Sequence, residues 1–381
     1  SRKTKIVIYS GEMNMDKDPF KEYLRESEPN KATKGYVWST AVGLQAVDGL
    51  KPSQYLIDTA IQNIEGKITL KEAQSLIESY YNERPVRVSD NERTEEADKV
   101  SANIKKILSS KTLAFNVNGF ISMHRRIFEG VFKHAGEIRK YDITKKEWVL
   151  KGDTVHYLNW EDIHAAIDYD IRQEQEFSYK GLSDKEKIKH ISRFVSGLWQ
   201  IHPFREGNTR TTAVFTIQYL RSIGYEVNND LFADHSWYFR NALVRANYKS
   251  AVLGIDYDYS FLEKFFQNLL LGEHHDLKNR YLIINAPDNW NIENDTQELQ
   301  NDTQDDTQGL QNDTQEYVIP GKKELDGWIE KQIRKDPKIS TGQLARMSQR
   351  SVITIKRHIS RLGHIKFVGS GFSGHWEISE E

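Results

Sequence analysis

The residues of this chain whose types and spacing suit chemistry lie in one short run, His202-Pro203-Phe204-Arg205-Glu206-Gly207-Asn208-Thr209-Arg210. Apolar residues at helical spacing come before and after it, which predicts a helix, a loop and a second helix that begins near Asn208. The first turn of a helix offers unpaired N–H groups and the positive end of its dipole, and these attract anions. Asn208 offers one more donor for such an anion.

Three side chains of the run are suited to particular chemical roles. The guanidinium of Arg210 has the fork geometry that suits phosphate. One carboxylate, that of Glu206, can hold Mg²⁺ when phosphates and waters complete the shell. His202 can act as a general base. Any one of these residues alone would more often be structural, but their order and spacing together predict a phosphate-transfer site.

The run resembles the signature of the Fic family, His-x-Phe-x-Asp/Glu-Gly-Asn-x-Arg-x-x-Arg, and the resemblance extends over roughly residues 35 to 272. It implies a mostly α fold, with a Fic-type helical domain that carries a β-hairpin flap. It implies transfer of AMP from ATP to a side-chain hydroxyl of a target protein, with Mg²⁺ on Glu206. His202 would take the hydroxyl proton and Phe204 would anchor the loop in the core.

The resemblance also implies a nucleotide site. The residues it assigns to ATP are Phe204, Arg205, Glu206, Gly207, Asn208, Thr209, Arg210, Tyr238 and Asn247. Arg210 would hold the outer phosphates, Tyr238 would wall the adenine ring, and Asn247 would border the adenine pocket. Packing within its own helix explains Tyr238 equally well.

Two positions depart from the family pattern. Thr209 stands where the family has glycine, so its backbone must be ordinary or the loop modified. Ala213 replaces the second arginine, which puts the nucleotide pose in doubt unless another residue such as Arg245 substitutes. The same loop could therefore transfer another phosphate-containing group or remove AMP. A DNA-binding regulator with a nucleotide-sensing domain is the third alternative.

The segment before the loop resembles the inhibitory helix of some Fic proteins, with two candidate acids. Asp48 precedes Gly49, and Glu65 precedes Gly66. Both glycines are equally typical of helix C-termini without any inhibition. If either acid inhibits, the register favours Asp48.

Between residues 147 and 157, short β-prone runs flank a Lys-Gly-Asp turn, which predicts a hairpin. The resemblance makes it the flap that docks the target segment. The residues assigned to target docking are Val149, Leu150, Lys151, Gly152 and Asp153. His124 and His134, on the predicted helices before the flap, are assigned structural roles.

Composition sets the remaining bounds. The 381 residues contain no cysteine, which excludes disulfides, and no apolar run of membrane-spanning length or signal-peptide pattern. We therefore expect a soluble, cytoplasmic protein. The predicted domains are an N-terminal arm (1–34), a helical segment with the candidate inhibitory acids (35–95), the Fic domain (96–285), an acidic low-complexity linker (286–320) and a C-terminal domain (321–381).

The C-terminal domain reads as three helices followed by a hairpin with a glycine-rich tip, a pattern similar to a small α+β winged helix-turn-helix. Lys and Arg outnumber the acids there. The third helix would read DNA, with contacts from Arg350, Ser351, Thr354, Lys356 and Arg357. Such folds also bind proteins, so DNA is one of two partner classes.

Overall fold

The computed structural model describes residues 20, 29–83, 89–227, 231–285, 325–337, 339, 341–348, 352–368 and 375–379. Most of the predicted arm, all of the predicted linker, and Arg350 and Ser351 lie outside these residues. The chain separates into two compact units, the first made of residues 1–139 and 144–304 and the second of residues 140–143 and 305–381.

The described part of the first unit is helical, as the periodicity predicts. Its α-helices are α1 (Pro29–Gly43), α2 (Gln54–Ile64), α3 (Leu70–Asn82), α4 (Ser89–Leu108), α5 (Val117–Phe128), α6 (Ile163–Glu176), α7 (Asp184–Ile201), α8 (Asn208–Ser222), α9 (Leu231–Ala246) and α10 (Ser260–Leu271). Short 3₁₀ turns occupy Leu44–Asp48, Trp148–Leu150, Trp160–Asp162 and Asn279–Leu282. None of the described helices has the length and apolar character needed to cross a bilayer.

Helices α7 and α8 bracket the chemical loop. Ser183 caps the start of α7, because its hydroxyl accepts from the Glu186 N–H while Glu186 returns a bond to the Ser183 N–H. Helix α8 is buried at every residue from Asn208 to Leu220, so it is the central helix of the unit. A loop attached to that helix is held by the core.

The helices α2 and α3 are fastened to α4 by one buried acid. Asp98 of α4 accepts from the backbone N–H and the hydroxyl of Ser53, at 2.8 and 2.5 Å, and from the Tyr81 hydroxyl at 2.5 Å. Ser53 is also the N-cap of α2, accepting from the Leu56 N–H. Helix α4 itself runs across residues 95 and 96, where the sequence suggests a boundary.

The expected hairpin over residues 147–157 is not formed as paired strands. Trp148–Leu150 is a 3₁₀ turn that closes through Lys151 and Gly152, both with positive φ. Two of the expected docking residues, Val149 and Leu150, are buried in the core, and the Val149 carbonyl accepts from the Ile284 N–H. Burial of these two apolar side chains outweighs the local β propensity. We keep the name flap for residues 144–158.

The described part of the second unit holds the elements predicted there. They are α11 (Leu325–Lys335), α12 (Thr341–Ser348), α13 (Val352–Leu362), β1 (Ile365–Val368) and β2 (His375–Ile378). The two strands are antiparallel, with Ile365 opposite Ile378. The unit has an apolar core of its own that includes Leu325, Ile329 and Ile355. The winged-helix assignment remains a prediction.

Candidate active site

His202 ends α7 in a left-handed conformation, with φ +50° and ψ +59°, which is uncommon for a residue that carries a Cβ. Its Nδ1 lies 3.3 Å from the Trp199 carbonyl oxygen, so Nδ1 is the nitrogen placed to carry the proton. Its Nε2 is buried and has no hydrogen-bond partner among the described residues. The Tyr157 ring of the flap lies 4.1 Å from the imidazole, centroid to centroid.

The electrostatic surroundings keep this imidazole neutral. Burial is the largest effect that holds the pKa of His202 well below its usual range, followed by the positive charge of Lys145. Arg139 and Arg240 also lower this pKa, and the hydrogen bond to the Trp199 carbonyl opposes them. A neutral imidazole with a free Nε2 lone pair is the form that accepts a proton.

The loop after His202 is anchored by Phe204 and His124. Phe204 is fully buried and stacks on the His124 ring at 3.8 Å. His124 accepts the Gly136 N–H on Nδ1 at 2.8 Å, so its Nε2 carries the proton and donates to the Glu206 carbonyl at 3.1 Å. Burial lowers the pKa of His124 to about 3, which keeps this tautomer neutral. His124 thus has the structural role expected of it, and that role is to hold the loop.

Asn208 closes the loop on itself instead of offering its amide to an anion. Its Oδ1 accepts from the Phe204 N–H at 2.9 Å, and its Nδ2 donates to the Phe204 carbonyl at 2.8 Å. Asn208 thus holds the loop through its side chain in this conformation, and its role as an anion donor stays a prediction. What remains for an anion is the first turn of α8, which has no side-chain cap.

The two residues on either side of Asn208 fit their positions for different reasons. Gly207 has φ +72°, and a Cβ added there would lie 2.1 Å from Phe128 Cζ, so only glycine fits. Thr209 lies in regular helix and needs no left-handed backbone. Its hydroxyl accepts from the Trp199 indole N–H at 2.9 Å. The departure from glycine at 209 thus ties α8 to α7.

Arg210 is enclosed by partners from the N-terminal part of the chain. Its Nε lies 2.6 Å from Asp48 Oδ2, and its two terminal nitrogens contact Glu96 Oε1 at 2.6 Å and Gln45 Oε1 at 2.9 Å. Its side chain is only 2% exposed. The guanidinium lies 4.8 Å from the centre of the Phe128 ring. In this conformation, protein carboxylates fill the coordination that phosphate oxygens would need.

This crowding of acids affects Glu206. Burial raises the pKa of the Glu206 carboxyl to about 7, with further contributions from the negative charges of Glu96 and Asp48. Burial also pushes the pKa of Asp48 upward, but Arg210 and then Lys145 outweigh it, so the net shift is downward. Asp48 is therefore ionised at neutral pH, whereas Glu206 is close to half protonated.

The two acids proposed for inhibition are placed differently. Asp48 contacts Arg210, and Arg93 donates to its main-chain carbonyl at 2.9 Å. Glu65 lies at the end of α2 and pairs with Lys31 at 3.5 Å. Gly49 and Gly66 both have the positive φ of a helix C-terminus, so that interpretation holds at both sites. Asp48 also contacts Arg210, an interaction that a helix C-terminus alone does not require.

The residues assigned to the adenine pocket pack elsewhere. Tyr238 is buried in the core and its hydroxyl donates to the Phe261 carbonyl at 3.2 Å, in agreement with the packing alternative. The Asn247 amide donates to the carbonyl and hydroxyl of Ser196 on α7. Arg245 bonds to the Leu282 carbonyl and lies near Asp258 at 3.9 Å, so it does not replace the arginine missing at Ala213.

The remaining predicted site residues are exposed on the loop and on the flap. Arg205 is exposed at the edge of the loop, and Lys151, Gly152 and Asp153 are exposed at the flap turn. The Asp153 carboxylate accepts from the Tyr248 hydroxyl at 2.6 Å. These flap residues, unlike Val149 and Leu150, can be reached by a target.

Sequence reasoning missed Gln45, Glu96 and Arg139. Gln45 and Glu96 lie 165 and 114 positions before Arg210, so only the fold brings them together. Arg139 is buried against the main chain of the loop. The sequence gives no signal for Arg139, because only the fold shows that this arginine is buried and paired.

The described part of the first unit is a helical domain built around the loop of residues 202–210. Residues 114–220 match the model of the Fic/DOC family. The chain therefore contains a Fic/DOC family domain.

Several known proteins are similar to a part of this chain. The protein adenylyltransferase VbhT of Bartonella schoenbuchensis is 28% identical over 146 residues, which is 38% of this chain and 29% of that protein. The probable protein adenylyltransferase Fic of Salmonella typhimurium is 25% identical over 151 residues, 39% of this chain and 66% of that protein. The crystal structure of the N-terminal FIC domain of Bep8 from Bartonella sp. 1-1C is 17% identical, covers 49% of this chain and 88% of its own, and has a TM-score of 0.38.

Proposed function

We propose that this protein transfers AMP from ATP to a Ser, Thr or Tyr hydroxyl of a target protein, with Mg²⁺ as cofactor. The observation that carries the proposal is the state of His202. Its Nδ1 faces a carbonyl, and its Nε2 has no hydrogen-bond partner among the described residues. His202 is the first residue of a loop that leads into α8, whose first turn has no side-chain cap. The relatives named as protein adenylyltransferases support the choice of donor.

The reaction balances with the residues at hand. The target oxygen attacks the α-phosphorus of ATP while its proton passes to Nε2 of His202. The bond from the α-phosphorus to the bridging oxygen breaks, and pyrophosphate leaves with the electron pair. Arg210 and the first-turn N–H groups of α8 stabilise the negative charge that builds up, so catalysis is mostly positioning and electrostatics.

Glu206 fits the part of a magnesium ligand. Glu206 directly precedes Gly207, the residue before the first turn of α8. Mg²⁺ prefers one or two protein carboxylates, with phosphates and waters as its other ligands. When bound, the ion would neutralise phosphate charge.

We further propose that the conformation described is an inhibited one. Arg210 is saturated by Asp48, Glu96 and Gln45, so the outer phosphates of ATP cannot reach it until these partners withdraw. The 3₁₀ turn Leu44–Asp48 carries two of the three. We call this turn with Glu96 the latch.

The test uses ATP labelled separately at the α- and γ-phosphate, incubated with Mg²⁺, a cell lysate and the full chain. Asp48→Ala serves as the released form and His202→Ala as the inactive one. Label from the α position alone, lost in His202→Ala, supports AMP transfer. Label from the γ position would favour transfer of another phosphate group.

Absence of label with the released form as well would overturn the adenylyltransferase proposal. Loss of AMP from a pre-modified target would then favour the reverse reaction. These outcomes separate the alternatives that the missing second arginine leaves open.

As a second and independent function, we propose that the second unit binds DNA. Lys356 and Arg357 are exposed on α13. The acids of α11 are already neutralised within the unit, since Asp326 pairs with His358 and Arg361, and Glu330 with Arg334. Lys and Arg also outnumber Asp and Glu over residues 321–381, so the net charge of this part of the chain is positive.

Mobility-shift titrations of the full chain on random duplex DNA test the DNA proposal. We expect the double variant Lys356→Gln/Arg357→Gln to weaken binding and to flatten its salt dependence, because about two phosphate contacts are lost. Lys331→Gln/Lys335→Gln on α11 is the matched control. Equal binding by all three proteins, or no binding, would refute the proposal.

A further inference from the structure

Arg139 is a buried cation bonded to the main chain on both sides of the catalytic loop's first residue. The side chain is almost fully enclosed. Its Nε donates to the His202 carbonyl at 2.7 Å, and one terminal nitrogen donates to the Ile201 carbonyl at 3.2 Å. The Arg139 main-chain N–H donates to the Pro203 carbonyl at 2.9 Å. One residue thus holds three consecutive carbonyls, those of 201, 202 and 203.

These contacts satisfy two structural requirements at the C-terminal end of α7. The last carbonyls of a helix lack intrahelical donors, and a cation near them is favoured by the helix dipole. The left-handed backbone of His202 is unfavourable for a residue with a Cβ and persists only if its surroundings enforce it. Several hydrogen bonds from one rigid guanidinium provide that enforcement.

The same guanidinium also reaches the flap. The terminal nitrogen that contacts Ile201 donates to the Leu158 carbonyl at 2.5 Å. Leu158 directly follows Tyr157, whose ring lies 4.1 Å from the His202 imidazole. Arg139 therefore joins the backbone that carries His202 to the backbone that carries the ring against it.

We propose that Arg139 is a positioning residue for the reaction. It fixes the position of the His202 imidazole relative to the flap, without contacting the imidazole or the substrates. The proposal rests on the proposed function of His202 as base. It adds a residue that lies 63 positions outside the loop and belongs to no part of the loop signature.

Three variants of the full chain, made in the released Asp48→Ala background, test the proposal. Arg139→Lys keeps the charge but loses the fork, and Arg139→Met loses both. Arg172→Met is the matched control, since Arg172 lies on α6 with its side chain 69% exposed and pairs with Asp168. The kinetic readout is kcat and KM for ATP in α-label transfer.

We expect Arg139→Met to lower kcat by about 100-fold with KM for ATP nearly unchanged, because a base misplaced by about 1 Å loses that much. Arg139→Lys should lose about 10-fold, and Arg172→Met nothing. A guanidinium compound added to a fourth variant, Arg139→Ala, should restore part of kcat, which a globally misfolded variant would not allow. Unchanged kcat in Arg139→Met, or an equal fall of kcat in Arg172→Met, would overturn the proposal.

A second readout needs no activity. NMR of histidine- and tyrosine-labelled protein, with His202→Ala to assign the signal, reports the contact of His202 with Tyr157 and the His202 pKa. The charges around this imidazole are Lys145, Arg139 and Arg240, all of which lower its pKa together with burial. Arg139→Met should raise the pKa and abolish the ring-to-ring contact, whereas Arg139→Lys should leave the pKa low.

The two readouts separate the two proposals. If the released protein transfers nothing, the proposed function fails, and the NMR result still decides whether Arg139 positions His202. An unchanged pKa and an intact ring contact in a folded Arg139→Met protein would refute the positioning role whatever the activity.

Discussion

Replacing Asp48 by alanine tests the latch directly. Removing one partner of a fully buried ion pair costs about 3–5 kcal/mol, and removing one from an exposed pair about 0–1 kcal/mol. The Arg210 side chain is 2% exposed and that of Asp48 is 20% exposed, so the pair lies between these limits. Arg210 also keeps Glu96 and Gln45. We therefore expect the closed state to lose about 2 kcal/mol.

This loss converts into nucleotide affinity. A free-energy change of about 2 kcal/mol shifts an equilibrium about 30-fold. If ATP binds only the open state, its apparent affinity rises by up to that factor as the competent fraction grows. Calorimetric titration of the full chain with ATP and Mg²⁺ measures it, and the initial rate of α-label transfer should rise in parallel.

Matched variants sharpen the measurement. Asp48→Asn keeps the shape of the side chain and removes its charge, so its effect should approach that of alanine. Glu65→Ala removes the other candidate acid, which pairs with Lys31 away from the loop, and should leave ATP affinity unchanged. ATP affinity that is equal in wild type and a folded Asp48→Ala protein would refute the latch. An equal gain in Glu65→Ala would show that general loosening of the N-terminal helices is responsible.

Three further predictions concern the loop. The raised pKa of Glu206, about 7, means that the closed form takes up a proton between the usual carboxyl range and pH 7. The stabilisation of the closed form by this proton is therefore lost as pH rises through 7, and the affinity for ATP and Mg²⁺ should rise over the same interval. Asp48→Asn should move the midpoint of that rise to lower pH. An affinity that does not depend on pH would contradict the raised pKa of Glu206. Gly207→Ala combines a left-handed backbone with a Cβ 2.1 Å from Phe128 Cζ. The free energy of unfolding measured in urea should therefore fall by about 2–5 kcal/mol. A fall of less than about 1 kcal/mol would show that the loop adapts to the extra carbon. His202→Ala should abolish label transfer while circular dichroism and thermal unfolding stay near wild type; undiminished labelling would refute its role as base.

Several helices around the loop could be predicted from sequence because their apolar residues recur with a 3.6-residue period and a capping residue stands at the start of some of them. Ser53, Thr69 and Ser183 each cap the helix that follows, as their residue types indicate. The loop itself was recognisable because its residues are consecutive. Local information was sufficient for both.

The partners of the loop could not be predicted in the same way. Glu96 and Gln45 meet Arg210 only after α4 and the 3₁₀ turn have packed against α8, and neither residue stands in a pattern that points to it. The β-prone run at the flap predicts a strand, whereas burial of Val149 and Leu150 bends it into a 3₁₀ turn. The sequence predicts Arg210 as a phosphate ligand, but only the folded chain shows that its guanidinium contacts Asp48, Glu96 and Gln45.

The attachment of α2 and α3 to α4 through Asp98 limits how the latch opens. The turn that carries Asp48 is bounded by α1, where Ser236 donates to the Gly43 carbonyl at 2.7 Å, and by Ser53, which Asp98 holds. Release of Arg210 from Asp48 and Gln45 is thus a rearrangement of a few residues between two fixed ends, with no need to detach a whole helix. Because this segment is short, single substitutions in it would change the proposed inhibition in small steps while the core stays constant.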